Sequence, residues 1–367
     1  MGHLSCKIDS PYGMMAGGVD WCANPKERAR EMKGLDLHRE FFEECGKPLL
    51  MKAFPEEFPK IAVASVGFGS DRLGADDEFS RDHCWEPGFQ IFSDRLSRDK
   101  LKEIESHLFE NLPWEFRGFK RSDCCGAPNT IRAWTVDEFF SSMTSFSVPP
   151  AQDRQWLLIA DEALCHVTNG EVFHDPTGDF TKRREAFGYY PDNVWRFKLA
   201  GRAMRISTQR YWIERCLAHG EALAADLMLY EGVREVLHFL CLVNKRYAPY
   251  DRWLPWMVRR LPILVDAIDP VITRIRQTAD APGPLACFTE IETLLADYVY
   301  DNGLASRGGY EWAGPAPANP WWGDLRETVT GDLKDFPGGP SWIGVEHRYS
   351  SQFGLGGDFR KLLMTDG

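Results

Sequence analysis

The chain has 367 residues, of which 44% are hydrophobic, and it carries a formal net charge of −11. This hydrophobic content excludes global disorder, and the negative charge argues against extended binding to nucleic-acid backbones. The longest apolar runs are too short to cross a bilayer and no signal-peptide pattern opens the chain, so we expect a cytoplasmic protein with no membrane partner, whose ten cysteines are reduced.

The first half of the chain combines helical patterns with short apolar runs. Helices are predicted over residues 25–45, 99–112 and 137–144, and the sequence Gly46-Lys47-Pro48 should end the first of them. Short apolar or alternating runs predict strands over 61–67, 82–92 and 130–136. These elements predict a small mixed sheet flanked by helices.

The second half is dominated by long helical patterns. A turn-rich connector over 168–178 separates a first helix from the rest, and Asp192 is placed to cap a helix N-terminus. Helices are predicted over 156–165, 180–187, 208–229, 231–245, 252–279 and 285–300. This pattern indicates a helical bundle.

Four segments follow from these patterns. Residues 1–34 are predicted to be an irregular extension, 35–150 an α/β domain and 151–302 a helical bundle domain. Residues 303–367 are rich in Gly, Pro and Trp, and so many aromatic side chains predict an extension packed on the body. The fold class is therefore α+β: a small mixed sheet with flanking helices, followed by an α-helical bundle.

The stretch from Gly67 to Trp85 carries the strongest chemical signal. Gly69 allows backbone N–H groups to approach a phosphate, and the Ser70 hydroxyl adds a donor. If the second strand opens on Asp82, positions 82 and 84 share one face, where two carboxylates would hold a pair of hard cations. Position 84 is Cys84, and a thiol is a poor magnesium ligand.

This arrangement resembles the signature of the polymerase-β-type nucleotidyltransferases. The resemblance implies that Gly69 and Ser70 hold a triphosphate, and that Asp82 holds magnesium with Cys84 in its partner's position. Nucleotidyltransferases of this type place a third carboxylate on a neighbouring strand, and Arg132 stands at the equivalent position here.

A closer resemblance is to a domain-of-unknown-function family within that superfamily. It rests on the run from Gly69 to His83 and on three later segments, and it extends over roughly residues 35–265. The later segments are Gly170-Glu-Val-Phe173, Tyr189-Tyr-Pro-Asp-Asn-Val-Trp195 and Arg246-Tyr-Ala-Pro-Tyr250. Members of this family look like a minimal nucleotidyltransferase domain followed by a helical bundle, and they usually carry Asp-His-Asp-Trp where this chain has Asp82-His-Cys-Trp85.

The main hypothesis is transfer of a nucleoside monophosphate from a nucleoside triphosphate to an unidentified acceptor. Gly69, Ser70, Arg72 and Arg132 are assigned to nucleotide binding and Asp82 to catalysis, with magnesium bound weakly or not at all. A pair between Asp71 and Arg72 is the alternative interpretation of Arg72.

Two rival hypotheses remain open. The first is a non-catalytic pseudoenzyme that binds a nucleotide or a partner protein. The second is a thiol- or zinc-dependent enzyme that uses the same pocket. Cys84 would then be the nucleophile, or zinc would be bound by the pairs Cys216-x-x-His219 and His238-x-x-Cys241. Core packing is the simpler explanation for these two pairs.

Overall fold

A computed structural model describes residues 32–82, 85–121, 131–278, 282–310 and 321–334. The described residues from Lys33 onward form one compact unit. Within these ranges every helix is too short or too polar to span a bilayer.

A four-stranded mixed sheet occupies the centre of the first half. Its order is β5-β2-β1-β6, with β1 antiparallel to β2 and β6, and β2 parallel to β5. The strands of this sheet are β1 (Ala62–Ser65), β2 (Phe89–Phe92), β5 (Ile131–Trp134) and β6 (Glu171–His174). A separate short hairpin joins β3 (Glu115–Phe116) to β4 (Phe119–Lys120).

Helices flank the sheet in the first half of the chain. They are α1 (Gly34–Phe41), a π-helical turn (Phe42–Gly46), α2 (Lys47–Ala53), α3 (Arg98–Asn111) and α4 (Val136–Thr144). Ser97 caps α3 and Thr135 forms a capping box with Glu138 at the start of α4. Short 3-10 turns lie at Phe58–Lys60 and Phe79–Asp82.

The second half is helical. It comprises α5 (Asp153–Trp156), α6 (Asp161–Thr168), α7 (Asp179–Ala186), α8 (Asp192–Ala218), α9 (Ala222–Val243), α10 (Leu254–Val258), α11 (Val265–Gln277), α12 (Pro282–Asp301) and α13 (Trp321–Arg326), followed by a 3-10 turn (Gly331–Leu333). The long helices α8 and α9 form a hairpin whose turn contains Gly220, with a left-handed φ of 75°.

Alternate strand residues face two different clusters of buried side chains. Val63 packs with α1, α2 and α3 on one face, whereas Ala62 and Ala64 pack with the helices of the second half on the other. Because both faces are covered, all four residues of β1 are buried, which is why its sequence shows no clean polar–apolar alternation. The predicted α+β fold class is confirmed.

Several predicted boundaries are wrong. The second strand begins at Phe89 instead of Asp82, which ends a 3-10 turn. Pro48 does not end the first helix, because it occupies the first turn of α2, where its missing N–H costs nothing. The predicted connector 168–178 contains a fourth strand, β6. The predicted helix 208–229 is interrupted by the turn at Gly220.

Candidate functional site

The segment from Gly67 to Ala75 forms a compact turn at the end of β1. The Leu73 N–H donates to the Gly69 carbonyl at 3.3 Å, and the Ala75 N–H donates to the Ser70 carbonyl at 2.9 Å. Gly67 and Gly69 have φ values of 101° and 138°, which side-chain-bearing residues rarely adopt. We call this segment the glycine turn.

Asn169 holds the first residue of the glycine turn through two hydrogen bonds. Its Oδ1 accepts from the Gly67 N–H at 2.9 Å, and its Nδ2 donates to the Gly67 carbonyl at 2.7 Å. The next residue, Gly170, donates its N–H to the Arg72 carbonyl at 3.0 Å. The end of α6 therefore fixes the position of the glycine turn.

Arg184 on α7 in turn fixes the end of α6. Its Nη2 donates to the carbonyls of Thr168, Asn169 and Gly170 at 2.6, 2.8 and 3.1 Å. These carbonyls have no partner within the helix, because they lie at its C-terminal end. Burial lowers the pKa of Arg184. Arg184 thus connects two helices and the glycine turn through main-chain contacts.

Asp71 lies buried beneath the glycine turn. Its carboxylate is 3.5 Å from Nε2 of His38 and 3.7 Å from Nη1 of Arg72. Neither Asp71 oxygen has a hydrogen-bond partner among the described residues. Nδ1 of His38 also contacts the Ser65 hydroxyl at 2.6 Å. Burial lowers the pKa of His38 to about 4, although the nearby Asp71 carboxylate acts to raise it.

The acidic residues after the turn have structural partners. Asp76 accepts hydrogen bonds from the Gly34 N–H at 2.8 Å and from Trp85 Nε1 at 2.9 Å. Asp77 is exposed and accepts from the backbone N–H and the hydroxyl of Ser80, both at 2.9 Å. These contacts cap the Phe79–Asp82 turn and fix the loop to α1.

A cavity of about 550 Å³ lies between the glycine turn and the second half of the chain. The turn contributes Arg72, Leu73 and Gly74. The opposite wall contains Lys245, Arg246 and Tyr247, from the segment that follows α9. Arg184 and Glu185 on α7 also line it, so the charged lining includes four cations and one carboxylate. Its volume is within the range of small-ligand sites.

Aromatic contacts hold the two walls of the cavity together. Phe68 in the glycine turn stacks on Tyr250, with ring centroids 5.4 Å apart, and meets His166 on α6 edge to face at 5.5 Å. Tyr247 donates its hydroxyl to the Phe187 carbonyl at 2.9 Å and stacks on Tyr189. The cavity walls are therefore positioned by packing that does not depend on a ligand.

The site residues predicted from the sequence do not all line the cavity. Gly69 and Ser70 belong to the glycine turn, but the cavity is lined by the turn residues that follow them, starting at Arg72. Arg72 donates to the Phe68 carbonyl and lies beside Asp71, as the alternative interpretation proposed. Arg132 lies on β5 with its guanidinium 4.2 Å from the centre of the Trp134 ring.

The backbone of Asp82 ends the 3-10 turn, so the prediction that the second strand opens on Asp82 is wrong. The Asp82 side chain and residues 83–84 lie outside the described part of the structure. Their assignment to catalysis and metal binding stays a prediction.

The described residues do not by themselves form a magnesium site. Asp71 is flanked by a guanidinium, Asp76 is engaged by two N–H donors, and Arg132 brings a further positive charge to β5. Within the described ranges no three His, Cys, Asp or Glu side chains come together as a metal site. We therefore derive no reaction step through a metal ion.

The two pairs considered for zinc are also far apart. Cys216 and His219 lie at the turn of the α8–α9 hairpin, whereas His238 and Cys241 lie near the other end of α9. Sixteen residues separate Ala222 from His238, which is about 24 Å of helix. His238 is buried, with Nδ1 3.8 Å from Asp161, so the structure supports core packing for this pair.

Lys245 and Asn169 are the site residues that sequence reasoning did not assign. The Arg246–Tyr250 segment carried a family resemblance, but its spacing gave no reason to place it opposite the glycine turn. Asn169 and Arg184 act through main-chain carbonyls and N–H groups, which leave no sequence pattern. Only the fold brings these positions together.

Comparisons with known proteins agree in part with the resemblance. Residues 156–254 match a family model described as "Domain of unknown function (DUF4037)". A crystal structure of a nucleotidyltransferase-like protein from Exiguobacterium sibiricum 255-15 is similar at 11% identity with a TM-score of 0.35, over 71% of this chain and 77% of that one. No curated protein matches the chain significantly. The predicted resemblance to a domain-of-unknown-function family is thus confirmed over the range that contains Asn169, Arg184 and Lys245.

Proposed function

We propose that this protein is a nucleotidyltransferase-like protein that binds a nucleoside triphosphate in the cavity beside the glycine turn. The observation that supports the proposal most directly is the lining: Arg72, Arg184, Lys245 and Arg246 surround one cavity, opposed by the single carboxylate of Glu185. A chain with a net charge of −11 concentrates positive charge here, which favours a small polyanion.

The chemistry of the lining also suits the rest of a nucleotide. Leu35, Leu73 and Met257 provide apolar surface beside the cations, and Thr181 adds a hydroxyl group. Apolar walls with a few polar groups are typical of cofactor and nucleotide sites. The reaction proposed for this site is transfer of a nucleoside monophosphate to an acceptor hydroxyl, with release of pyrophosphate.

Nucleotide binding without transfer is the second candidate function. It is supported by the position of Asp71 beside the Arg72 guanidinium and by the two N–H donors on Asp76, contacts that disfavour metal binding by these two carboxylates. In this case the cavity holds the nucleotide as a ligand, and a partner protein recognises the nucleotide-bound form through the helical half of the chain.

Calorimetric titration of the full chain with the four common nucleoside triphosphates tests the proposal. We expect saturable binding of at least one triphosphate and much weaker binding of the corresponding nucleoside, because the cations contribute only to the former. No heat with any triphosphate up to millimolar concentration would contradict the proposal. Release of labelled pyrophosphate with magnesium or manganese, abolished by Asp82→Ala, would favour transfer over binding alone.

A further inference from the structure

The cations on the two sides of the cavity differ in what they already bind. Arg72 donates to the Phe68 carbonyl and Arg184 donates to three carbonyls at the end of α6. These guanidiniums hold the protein's own main chain. On the opposite wall, Lys245 and Arg246 are exposed, and the guanidinium of Arg246 has no hydrogen-bond or ion-pair partner among the described residues.

The segment carrying Lys245 and Arg246 is held firmly by its backbone. The Lys245 N–H donates to the Leu242 carbonyl at 3.0 Å and the Arg246 N–H to the Cys241 carbonyl at 2.9 Å. Lys245 adopts a left-handed φ of 52°, which turns the chain sharply after α9. Asn244 accepts from the Ile263 N–H at 2.9 Å and so fixes the turn to the next loop.

The side chain of Lys245 is also positioned before any ligand arrives. Its ammonium group lies 2.9 Å from the centre of the Trp195 ring and 5.4 Å from that of Tyr189. A cation held on aromatic faces has lost much of its rotamer freedom, so less entropy is lost on binding. Two adjacent cations on a fixed turn suit a ligand with several negative oxygens in a row.

We propose that Lys245 and Arg246 form the polyphosphate clamp of this cavity and contact the β- and γ-phosphates of the bound nucleotide. This inference rests on the proposed function, and it transfers the main phosphate contacts from the glycine turn to the turn after α9. The glycine turn then forms the opposite wall of the site, where Arg72 shapes the cavity by holding the turn.

The electrostatic surroundings of Lys245 add a pH dependence. Although Lys245 is exposed overall, partial desolvation of its ammonium group lowers its pKa to about 8, with Asp192 raising it and Arg196 lowering it. The neighbouring Tyr189 has its pKa raised by burial and remains neutral in this range. A terminal phosphate with a pKa of about 6 is largely ionised above pH 7.5, so affinity for the nucleoside triphosphate should fall as pH rises through 8, when the ammonium group loses its proton.

The test is calorimetric titration of the full chain with the best-binding nucleoside triphosphate and with inorganic triphosphate. We expect Lys245→Met and Arg246→Met each to weaken binding of both ligands about tenfold, since a charge-assisted contact of this kind contributes roughly 1.4 kcal/mol. Arg259→Met, which removes an exposed cation outside the cavity lining, is the matched control and should bind as the wild type does.

The pH arm separates a phosphate contact from a general structural effect. Wild-type affinity should fall several-fold between pH 7.5 and 9.5, whereas Lys245→Arg should keep its affinity across this range because the guanidinium stays protonated. Wild-type binding with unchanged affinity in both Met variants would overturn the clamp and leave the proposed function standing. Absence of triphosphate binding by the wild type would overturn both.

Discussion

The carboxylate of Asp71 occupies the space that a side chain at Gly69 would need. A Cβ atom built on Gly69 would lie 2.1 Å from Asp71 Oδ1 and 2.9 Å from Arg72 Nη1. Gly34 on α1 borders the same residue, since its Cβ would lie 2.4 Å from the Asp71 Cβ. Gly69 is therefore required by the packing of the glycine turn, in addition to any close approach of phosphate.

Substitution of Gly69 should destabilise the protein strongly. Gly69→Ala places a side chain at φ 138° and against Asp71, and we expect a loss of about 3 kcal/mol in the free energy of unfolding. Gly74→Ala is the matched control, because Gly74 has a positive φ but open space around its Cβ, and it should cost about 1 kcal/mol. Urea denaturation measures both; equal losses would show that Asp71 does not restrict position 69.

The two hydrogen bonds from Asn169 to Gly67 should stabilise the glycine turn measurably. Asn169→Ala leaves the Gly67 N–H and carbonyl without this partner, and we expect a loss of about 1–3 kcal/mol. Asn302→Ala removes an exposed side chain that bonds to the Tyr298 carbonyl and should change stability by less than about 0.5 kcal/mol. If the two variants unfold at the same urea concentration as the wild type, the anchoring role of Asn169 is wrong.

Buried histidines predict a loss of stability on mild acidification. Burial lowers the pKa of His38 from 6.5 to about 4, so between these values the unfolded chain binds a proton that the folded chain does not. The stability is thus fully present above pH 6.5 and declines as pH falls, by about 1.5 kcal/mol between pH 6.5 and 5 for one such group.

His166 should contribute a similar decline, because burial, assisted by Arg72, also lowers its pKa to about 4. His38→Gln should therefore be less stable than the wild type at pH 7.5 but show a shallower decline between pH 6.5 and 5. Free energies of unfolding measured at several pH values test this. A slope unchanged by the substitution would mean that His38 is protonated in the folded protein.

Trp321 should be important for stability although it lies in the Gly- and Pro-rich last segment. It is fully buried, packs edge to face on Phe239 at 5.6 Å, and donates its Nε1–H to Glu292 at 3.1 Å. Trp321→Ala should cost about 3–5 kcal/mol. Trp212→Ala, at a position that is 46% exposed, is the control and should cost less than about 1 kcal/mol. Thermal unfolding of both variants measures these losses.

The sequence predicted those elements whose signal is local. The apolar run before Gly67 and the helix predicted over 137–144 match β1 and α4 closely, because strand burial and short helical patterns depend on neighbouring residues. The edge strand β6 was missed, since the short segment Glu171–His174, between Gly170 and Asp175, resembles a turn until β1 is available to pair with it.

Only the part of the candidate site that depends on neighbouring residues was predictable from the sequence. The glycine turn has a recognisable spacing, but its partners Asn169 and Lys245 lie about one hundred or more residues away in the sequence. The prediction of a strand that opens on Asp82 follows from the resemblance to the nucleotidyltransferase signature, in which an acidic loop leads into the second strand. The 3-10 turn that forms there is stabilised by Asp77 and Ser80 through short-range contacts that compete with an extended conformation.

Hydrogen exchange measured by mass spectrometry, with and without saturating nucleoside triphosphate, tests the central claim most directly. The account predicts slower exchange of backbone amides at residues 72–74, 168–170 and 245–247, which border the cavity, and little change in the α8–α9 turn near Gly220. Binding that protects a different region, with these three segments unchanged, would contradict the placement of the nucleotide in this cavity.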